Sequence, residues 1–197
     1  MRTEKDYAPE IEKAVEVLRK GGVILCPTDT VWGIGCDASN AEAVEKVYKI
    51  KKRAESKSFV LLASDMDMVA RNVKEIPSVA IDLIEVNDRP MTIVYPGAIC
   101  DRYHLADNVV AEDGSVGIRI PAMAFCRDLV AKLGHPMVST SANVSGEGSP
   151  QVFEDVPQEI VDAVDYVVDP SLEVGSTGLS SQIIKVGMGS EVKIIRE

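Results

Sequence analysis

The sequence has 197 residues, of which 21 are Lys or Arg and 31 are Asp or Glu, so the formal net charge is −10. This length predicts a single domain spanning residues 1–197, and the 46% hydrophobic and 26% charged fractions exclude disorder as the main state. The acidic balance disfavours a protein that mainly grips nucleic-acid backbone, because such surfaces cluster Lys and Arg. A locally basic pocket for a small phosphate compound stays possible.

Hydrophobic periodicity predicts helices and strands that interleave along the whole chain. Predicted helices cover residues 10–20, 40–51, 65–73, 78–86, 123–133 and 157–164. Predicted strands cover residues 23–26, 59–62, 91–95, 116–120, 136–140 and 166–169, and residues 181–186 and 192–195 form a closing hairpin. Interleaving favours an α/β fold, and the hairpin favours a mixed sheet. We therefore predict one α/β domain with a twisted mixed sheet flanked by helices.

The cysteines and histidines form no metal-binding pattern. None of Cys26, Cys36, Cys100 and Cys126 lies in a C-x-x-C spacing, and the two histidines stand alone. No apolar leader and no apolar stretch of about 18 residues is visible, so neither a secretory signal nor a membrane span is predicted. These features predict reduced cysteines in a cytoplasmic protein.

Five cations fall within residues 49–57 of this acidic chain: Lys49, Lys51, Lys52, Arg53 and Lys57. On composition alone, a solvated helix face is the better interpretation. The alternative is a phosphate clamp, with Lys as a point charge and Arg as a bidentate fork. Lys51 falls at the edge of the predicted buried face, which suits a packed stem with its head in a pocket.

Two loops of small polar residues follow predicted strands. Residues 139–146 carry four hydroxyls and one amide, more than a simple turn needs, so we favour a binding loop over a turn. Residues 27–38 are predicted to form a loop with two threonine hydroxyls and the carboxylate of Asp29. Its Trp32 is expected to pack, with a pocket wall as the alternative. No Walker loop and no G-x-G-x-x-G is present.

Arg119 lies inside a predicted apolar strand, where a charge needs a partner or a ligand unless it faces outward. No nucleophile elbow is present, and neither histidine lies near a Ser or Cys signature. The residues therefore favour catalysis by positioning and by cations over covalent chemistry.

Four segments, in order, resemble motifs of the YrdC-like family, the L-threonylcarbamoyladenylate synthases. The resemblance extends over about residues 10–196, which is nearly the whole chain. In length, the sequence resembles the short, stand-alone form of the family. Residues 27–35 resemble PT[ED]TVYGLG, residues 50–53 with Lys57 resemble K-x-R, residues 117–121 match R-[VI]-P, and residues 139–146 match [SP]-x-S-A-N-x-S-G.

The resemblance implies a nucleotidyltransferase that makes L-threonylcarbamoyl-AMP from L-threonine, bicarbonate or CO₂, and ATP, releasing pyrophosphate. It implies a concave, positively lined cavity, ATP as a substrate, and Mg²⁺ that accompanies ATP. The product would serve the t6A modification at position 37 of tRNA. It would pass to a tRNA threonylcarbamoyl-transferase complex, with direct tRNA binding weak or absent.

The resemblance also implies roles for individual residues. Lys51 and Arg53 would be catalytic. The threonine side would be formed by Thr30, Arg119, Ser139 and Ser181. The ATP side would be lined by Arg53, Lys57, Ser115, Ser141, Asn143, Ser149 and Arg196.

Three departures from the family pattern bear on these roles. Where the family has W-P-G-P-L-T, residues 87–92 of this sequence are N-D-R-P-M-T. Leu62 stands where some members have histidine. Where the family has S-T-I-V-D, residues 181–185 are S-Q-I-I-K. Two alternative functions stay open. One is a related carbamoyl-adenylate or carbamoyltransferase activity, which predicts further domains and a Cys-rich finger. The other is a module that binds double-stranded RNA or tRNA, which predicts a broad basic face.

Overall fold

The computed structural model describes residues 7–53 and 58–197, in which helices alternate with strands. The α-helices are α1 (Ala8–Arg19), α2 (Ala41–Ile50), α3 (Met66–Asn72), α4 (Ser78–Val86), α5 (Ala124–Leu133) and α6 (Gln158–Ala163). The strands are β1 (Ile24–Cys26), β2 (Gly33–Asp37), β3 (Val60–Leu62), β4 (Met91–Tyr95), β5 (Val116–Arg119), β6 (Met137–Ser141), β7 (Tyr166–Val167), β8 (Gln182–Val186) and β9 (Val192–Arg196). Short 3₁₀ helices occupy Asp107–Val109, Phe153–Asp155 and Pro170–Leu172.

The strands form one mixed sheet in the order β7-β1-β2-β6-β3-β5-β4-β8-β9. Parallel pairs are β1–β7, β3–β5 and β4–β8, and the other neighbours are antiparallel. Helices α1 and α5 pack on each other and α2 packs on β2. This arrangement confirms the predicted α/β fold with a mixed sheet flanked by helices.

Strand β2 differs from the prediction, which placed all of residues 27–38 in a loop. Glycine has low strand propensity, so Gly33 and Gly35 concealed the strand. The structure shows why glycine fits: a Cβ on Gly35 would lie 3.1 Å from the backbone oxygen of Val138 and 3.2 Å from Met137 Sδ. The loop that remains, residues 27–32, joins β1 to β2, and we call it the β1–β2 loop.

Helix α2 carries the basic segment to the sheet. The side chain of Asn40 accepts a hydrogen bond from the backbone N–H of Ala43 at 3.0 Å, as expected of an N-cap. Val44, Val47 and Tyr48 are buried on its inner face, and Lys51 is its C-cap. The end of α2 therefore sets where Lys51 and Arg53 emerge. Among residues 7–53 and 58–197, no helix has the length and apolar character needed to cross a membrane.

Alternation along β5 divides the sheet into two faces with different chemistry. Gly117 pairs with Val94 and Ile118 pairs with Ile93, so Arg119 and Gly117 point to one face and Ile118 to the other. We call these the Arg119 face and the Ile118 face. Ser139 joins the Arg119 face, since Val60 is the register partner of both Gly117 and Ser139.

Candidate active site

Two adjoining cavities open on the Arg119 face and share Arg53 and Ser141. The first, which we call the arginine cavity, has a volume of about 200 Å³. The second, which we call the loop cavity, has a volume of about 390 Å³. The arginine cavity is lined by Thr30, Arg119, Ser139, Ser181 and Arg196 together with the shared pair. The loop cavity is lined by Lys51, Lys52, Asn143, Ser145, Gly146, Glu147 and Ser149 with the same pair.

The arginine cavity has the charge of an anion-binding site. Arg53, Arg119 and Arg196 line it, and among the residues that the structure describes no carboxylate belongs to the lining. Desolvation and then the like charge of Arg119 lower the pKa of Arg196, although an arginine stays protonated at neutral pH. One carboxylate or phosphate group can accept two hydrogen bonds from a single arginine. Three guanidinium groups around a small cavity therefore favour the binding of such an anion.

A buried ion pair sets the orientation of Arg119. Its Nη1 donates to Asp29 Oδ1, and the two side chains are 4% and 6% exposed. The second oxygen of Asp29 accepts from the backbone N–H of Ala122 at 2.9 Å. Nη2 of Arg119 reaches Thr30 Oγ1 at 3.4 Å, and its buried Nε has no partner among the described residues. Arg119 is therefore not an outward-facing residue, and it keeps donors for a ligand.

The β1–β2 loop places the hydroxyl of Thr30 beside Arg119. Thr28 Oγ1 donates to the carbonyl oxygen of Val31 at 2.7 Å and accepts from the backbone N–H of Thr30 at 3.1 Å. Because the single hydroxyl hydrogen of Thr28 is used, Thr30 Oγ1 is the donor in the 2.9 Å contact between the two hydroxyls. Trp32 is only 1% exposed and its Nε1 donates to Glu173, so it packs and does not wall the cavity.

Lys51 ties the loop of residues 141–149 to the end of α2. Its Nζ donates to the carbonyl oxygens of Ser141 and Asn143 at 2.5 and 2.6 Å, and it lies 3.1 Å from Asn143 Oδ1. In return, the backbone N–H of Ser145 donates to the carbonyl oxygen of Lys51 at 3.0 Å. Lys51 is 2% exposed, so the ammonium group is buried against the loop with its three hydrogens satisfied.

Arg53 stands between the two cavities. Its Nη2 donates to the carbonyl oxygen of Ser58 at 2.7 Å, and its guanidinium lies 4.9 Å from the centroid of the Phe59 ring. Phe59 in turn packs on Tyr48 of α2 at 4.3 Å between ring centroids. The aromatic pair supports the guanidinium plane where one ligand could extend across both cavities.

The far wall of the arginine cavity comes from β8 and β9. Ser181 Oγ and Thr92 Oγ1 are hydrogen-bonded at 2.8 Å in a buried position. Arg196 donates through Nε and Nη2 to the carbonyl oxygen of Ser181 at 2.9 and 2.7 Å. Thr92, Phe59 and Glu147 were not predicted as site residues. Of these, only Thr92 had a signal, because it retains the last residue of W-P-G-P-L-T.

Of the predicted site residues, Ser115 is not brought to these cavities. Ser115 precedes β5, at the opposite end of that strand from Arg119, so the two are about 13 Å apart along it. Its hydroxyl donates to Asp113 Oδ1 at 2.5 Å, and it lines neither cavity. Lys57 lies outside the described residues. The predicted residues that do line the two cavities are Thr30, Lys51, Arg53, Arg119, Ser139, Ser141, Asn143, Ser149, Ser181 and Arg196.

A family model named for Sua5, YciO and YrdC, and described as telomere recombination, matches residues 16–197. The chain belongs to this Sua5/YciO/YrdC family. Threonylcarbamoyl-AMP synthase of Coxiella burnetii is 34% identical over 143 residues, 72% of this chain and 75% of the relative. Threonylcarbamoyl-AMP synthase of Xanthomonas euvesicatoria is 31% identical over 193 residues, 95% of this chain and 97% of the relative.

A solved structure agrees with the family assignment. P. abyssi Sua5 complexed with L-threonine superposes with a TM-score of 0.79 at 25% identity. The match covers 89% of this chain and 50% of the Sua5 chain, so this chain spans half of that protein.

The departures from the family pattern fall in different places. Asn87, Asp88 and Arg89 line a third cavity, on the Ile118 face, while Thr92 stays beside Ser181. The W-P-G-P-L-T departure therefore leaves the walls of the arginine cavity intact. Leu62 is fully buried in the core.

The protonation of Lys51 predicts a pH-dependent site. Burial first and the positive charge of Arg53 second lower the pKa of Lys51 to about 8, against an opposing effect of Glu147. Raising the pH from about 7 to about 9.5 therefore removes a proton from the Lys51 ammonium group in the folded chain. An ordinary lysine, with a pKa of about 10.4, would stay largely protonated over this range. One positive charge beside the loop cavity and one hydrogen bond that holds the loop of residues 141–149 are lost, so affinity for nucleotide should fall as pH rises through about 8. Calorimetric titration with ATP across this range measures the effect.

Unfolding does not explain the expected loss. Between about pH 8 and pH 10 the unfolded chain binds more protons at Lys51 than the folded chain, so this group makes folding more favourable as pH rises. The matched variant Lys51→Met should show a weaker affinity without this pH dependence. An unchanged pH profile in that variant would contradict the assignment to Lys51.

Proposed function

We propose that this chain synthesises L-threonylcarbamoyl-AMP from L-threonine, bicarbonate and ATP, releasing pyrophosphate. The observation that carries the proposal is the joining of the arginine cavity and the loop cavity at Arg53 and Ser141. One cavity offers groups for an amino acid, and the next offers the backbone and side chains of a small-residue loop. The relatives named threonylcarbamoyl-AMP synthase support the same activity.

L-threonine would occupy the Arg119 side of the arginine cavity. Its carboxylate would accept from the donors of Arg119 that Asp29 leaves unused. Hydroxyls of Thr30, Ser139 and Ser181 line the same cavity and would bind the ammonium and hydroxyl groups of the substrate. The structure of P. abyssi Sua5 with L-threonine supports an amino-acid site in this fold.

ATP would extend from Arg53 into the loop cavity, against Ser141, Asn143 and Ser149. The amine of threonine and bicarbonate form N-carboxythreonine with loss of water. A carbamate oxygen then attacks the α-phosphorus of ATP, the new O–P bond forms, and the bond to the β-phosphate oxygen breaks to release pyrophosphate. Arg53 and Lys51 would stabilise the negative charge that develops, so no protein nucleophile is needed.

The lining of these cavities fits a Mg²⁺ ion that arrives with ATP. Of the residues in ranges 7–53 and 58–197, Glu147 is the one carboxylate that lines them, beside the amide of Asn143. Such a donor set would hold the ion by one or two oxygens and leave the rest of its ligands to phosphate and water. The ion would neutralise phosphate charge, while Arg53 would orient the phosphates and Lys51 would hold the loop and contribute its positive charge.

The decisive test is incubation with ATP, L-threonine and bicarbonate, followed by assay of pyrophosphate. We expect release that requires all three substrates, and L-serine in place of L-threonine is the matched control for the substrate methyl group. Pyrophosphate release that does not depend on threonine would refute the proposed substrate.

RNA binding is not favoured as the alternative. Many exposed lysines are paired with carboxylates, as in Lys20–Glu16, Lys49–Glu45 and Lys185–Asp113, while three arginines gather in one cavity. Such pairing reduces the net positive charge available to a long phosphate backbone. An RNA titration at several salt concentrations should show weak binding, with a shallow slope of log affinity against log salt concentration.

The labile product would be handed to a tRNA threonylcarbamoyl-transferase complex.

A further inference from the structure

The Ile118 face carries a cavity that the proposed reaction does not use. Its volume is about 320 Å³, and it lies between the sheet and helices α3 and α4. Alternation along β5 separates it from the arginine cavity, because Ile118 and Ile120 line this cavity while Arg119 lines the other. We call it the α4 cavity, and its apolar lining is Val69, Ile84, Met91, Ile93, Ile118 and Ile120.

An unpartnered hydroxyl group belongs to this lining. Tyr95 lines the α4 cavity and is 1% exposed, and among the described residues its hydroxyl has no hydrogen-bond partner, although the oxygen itself is not fully enclosed. Ile93 and Tyr95 lie two residues apart on β4, so their side chains point to the same face as Ile118. A hydroxyl that faces a cavity and has no protein partner is available to hydrogen-bond with a ligand, which would take the place of water there.

The charge of the lining sets the class of ligand. The carboxylate of Asp29 is already paired with Arg119, and Asp88 and Arg89 are exposed and opposite in charge. The lining therefore offers no unpaired buried charge to bind an ion, in contrast to the arginine cavity, and an uncharged ligand is favoured. The volume is about twice that of the roughly 150 Å³ apolar cavity that accepts benzene in an engineered protein, so one aromatic ring with a substituent fits.

We propose that the α4 cavity is a second ligand-binding site, for a small aromatic or branched aliphatic molecule that is uncharged and carries one hydroxyl or N–H group. Its apolar body would fill the space between α4 and the sheet, and its polar group would bind Tyr95. The site is independent of the proposed synthase activity, since its apolar lining and Tyr95 line neither the arginine cavity nor the loop cavity.

The test is titration of the full chain with phenol, toluene and benzoate, followed by NMR of the methyl groups of the lining residues. Phenol and toluene have nearly the same shape, so the hydroxyl isolates the contribution of Tyr95. We expect saturable binding of phenol at least fivefold tighter than that of toluene, and no binding of benzoate at this site. The variant Tyr95→Phe should bring phenol and toluene to similar affinities.

Two substitutions on α4 form a matched pair that locates the site. Ile84→Trp would fill the cavity and abolish phenol binding, whereas Ile81→Trp, at a position that is 44% exposed and does not line the cavity, should leave it unchanged. Pyrophosphate release should persist in both. If Ile84→Trp does not fold, the Tyr95→Phe comparison decides. Equal affinities of phenol and toluene for the unsubstituted chain, or an absence of saturable binding, would overturn the proposal.

Discussion

Replacing Arg119 with Met is expected to lower the free energy of unfolding by about 3–5 kcal/mol and to abolish threonine-dependent pyrophosphate release. The stability loss arises because Asp29, 6% exposed, would be left as a buried charge without its partner. The activity loss arises because the carboxylate of threonine would lose its guanidinium. Urea unfolding and the pyrophosphate assay measure the two effects separately.

The double variant Arg119→Met/Asp29→Asn separates stability from function. The amide that replaces the Asp29 carboxylate would keep an oxygen that accepts from the backbone N–H of Ala122, while the buried charge is gone. We expect much of the stability to return and the activity to stay absent. Full activity in the double variant would show that Arg119 serves the fold alone, and an unchanged stability of the single variant would contradict the buried pair.

Replacing Arg53 with Ala is expected to reduce kcat by about 10²–10³, the usual effect of removing one donor that stabilises transition-state charge. Stability should fall by about 1–2.5 kcal/mol, because the contact with the Phe59 ring is worth about 0.5–1 kcal/mol and the hydrogen bond to the carbonyl oxygen of Ser58 about 0.5–1.5 kcal/mol. The expected change in melting temperature is then about 2–10 °C. Steady-state kinetics and thermal unfolding of the same preparations provide both values.

Lys49→Ala is the matched control for Arg53→Ala. Lys49 belongs to the same basic segment, but its Nζ pairs with Glu45 at 2.6 Å and it lines neither cavity. The Lys49→Ala variant should retain nearly full activity. Arg53→Lys should recover part of the activity, since the charge remains and the planar fork does not. Equal loss in the Lys49 and Arg53 variants would point to overall charge and not to a placed group.

Residues of the proposed site could be named from the sequence, whereas the contacts among them could not. Arg53, Ser141 and Asn143 were assigned to the ATP side by the resemblance, while composition alone favoured a solvated helix face for residues 49–57 and a binding loop for residues 139–146. The partner of Arg119 was not predicted. Asp29 lies 90 residues away, and no local sequence pattern shows that the fold brings the two side chains together. The acceptors of Lys51 are largely backbone carbonyls, which every residue has, so no sequence signal marks them.

The fold was predicted where local patterns were strong. Helix α2 falls within the predicted range 40–51, and the closing hairpin corresponds to β8 and β9. Strand β2 was missed, because its glycines are selected by close approach to β6 and not by strand propensity. Ser115 was placed on the ATP side by resemblance alone, and strand direction puts it at the opposite end of β5 from Arg119.

The long sequence separations within the site have a consequence for folding. Arg119 and Thr30 are 89 residues apart in sequence, and Lys51 and Asn143 are 92 apart. The site therefore cannot form before most of the sheet has formed. High contact order of this kind predicts slow folding. It also predicts that substrate binding is coupled to the global unfolding equilibrium, with no segment able to bind by itself. Threonine and ATP should therefore shift the main melting transition of the whole sheet.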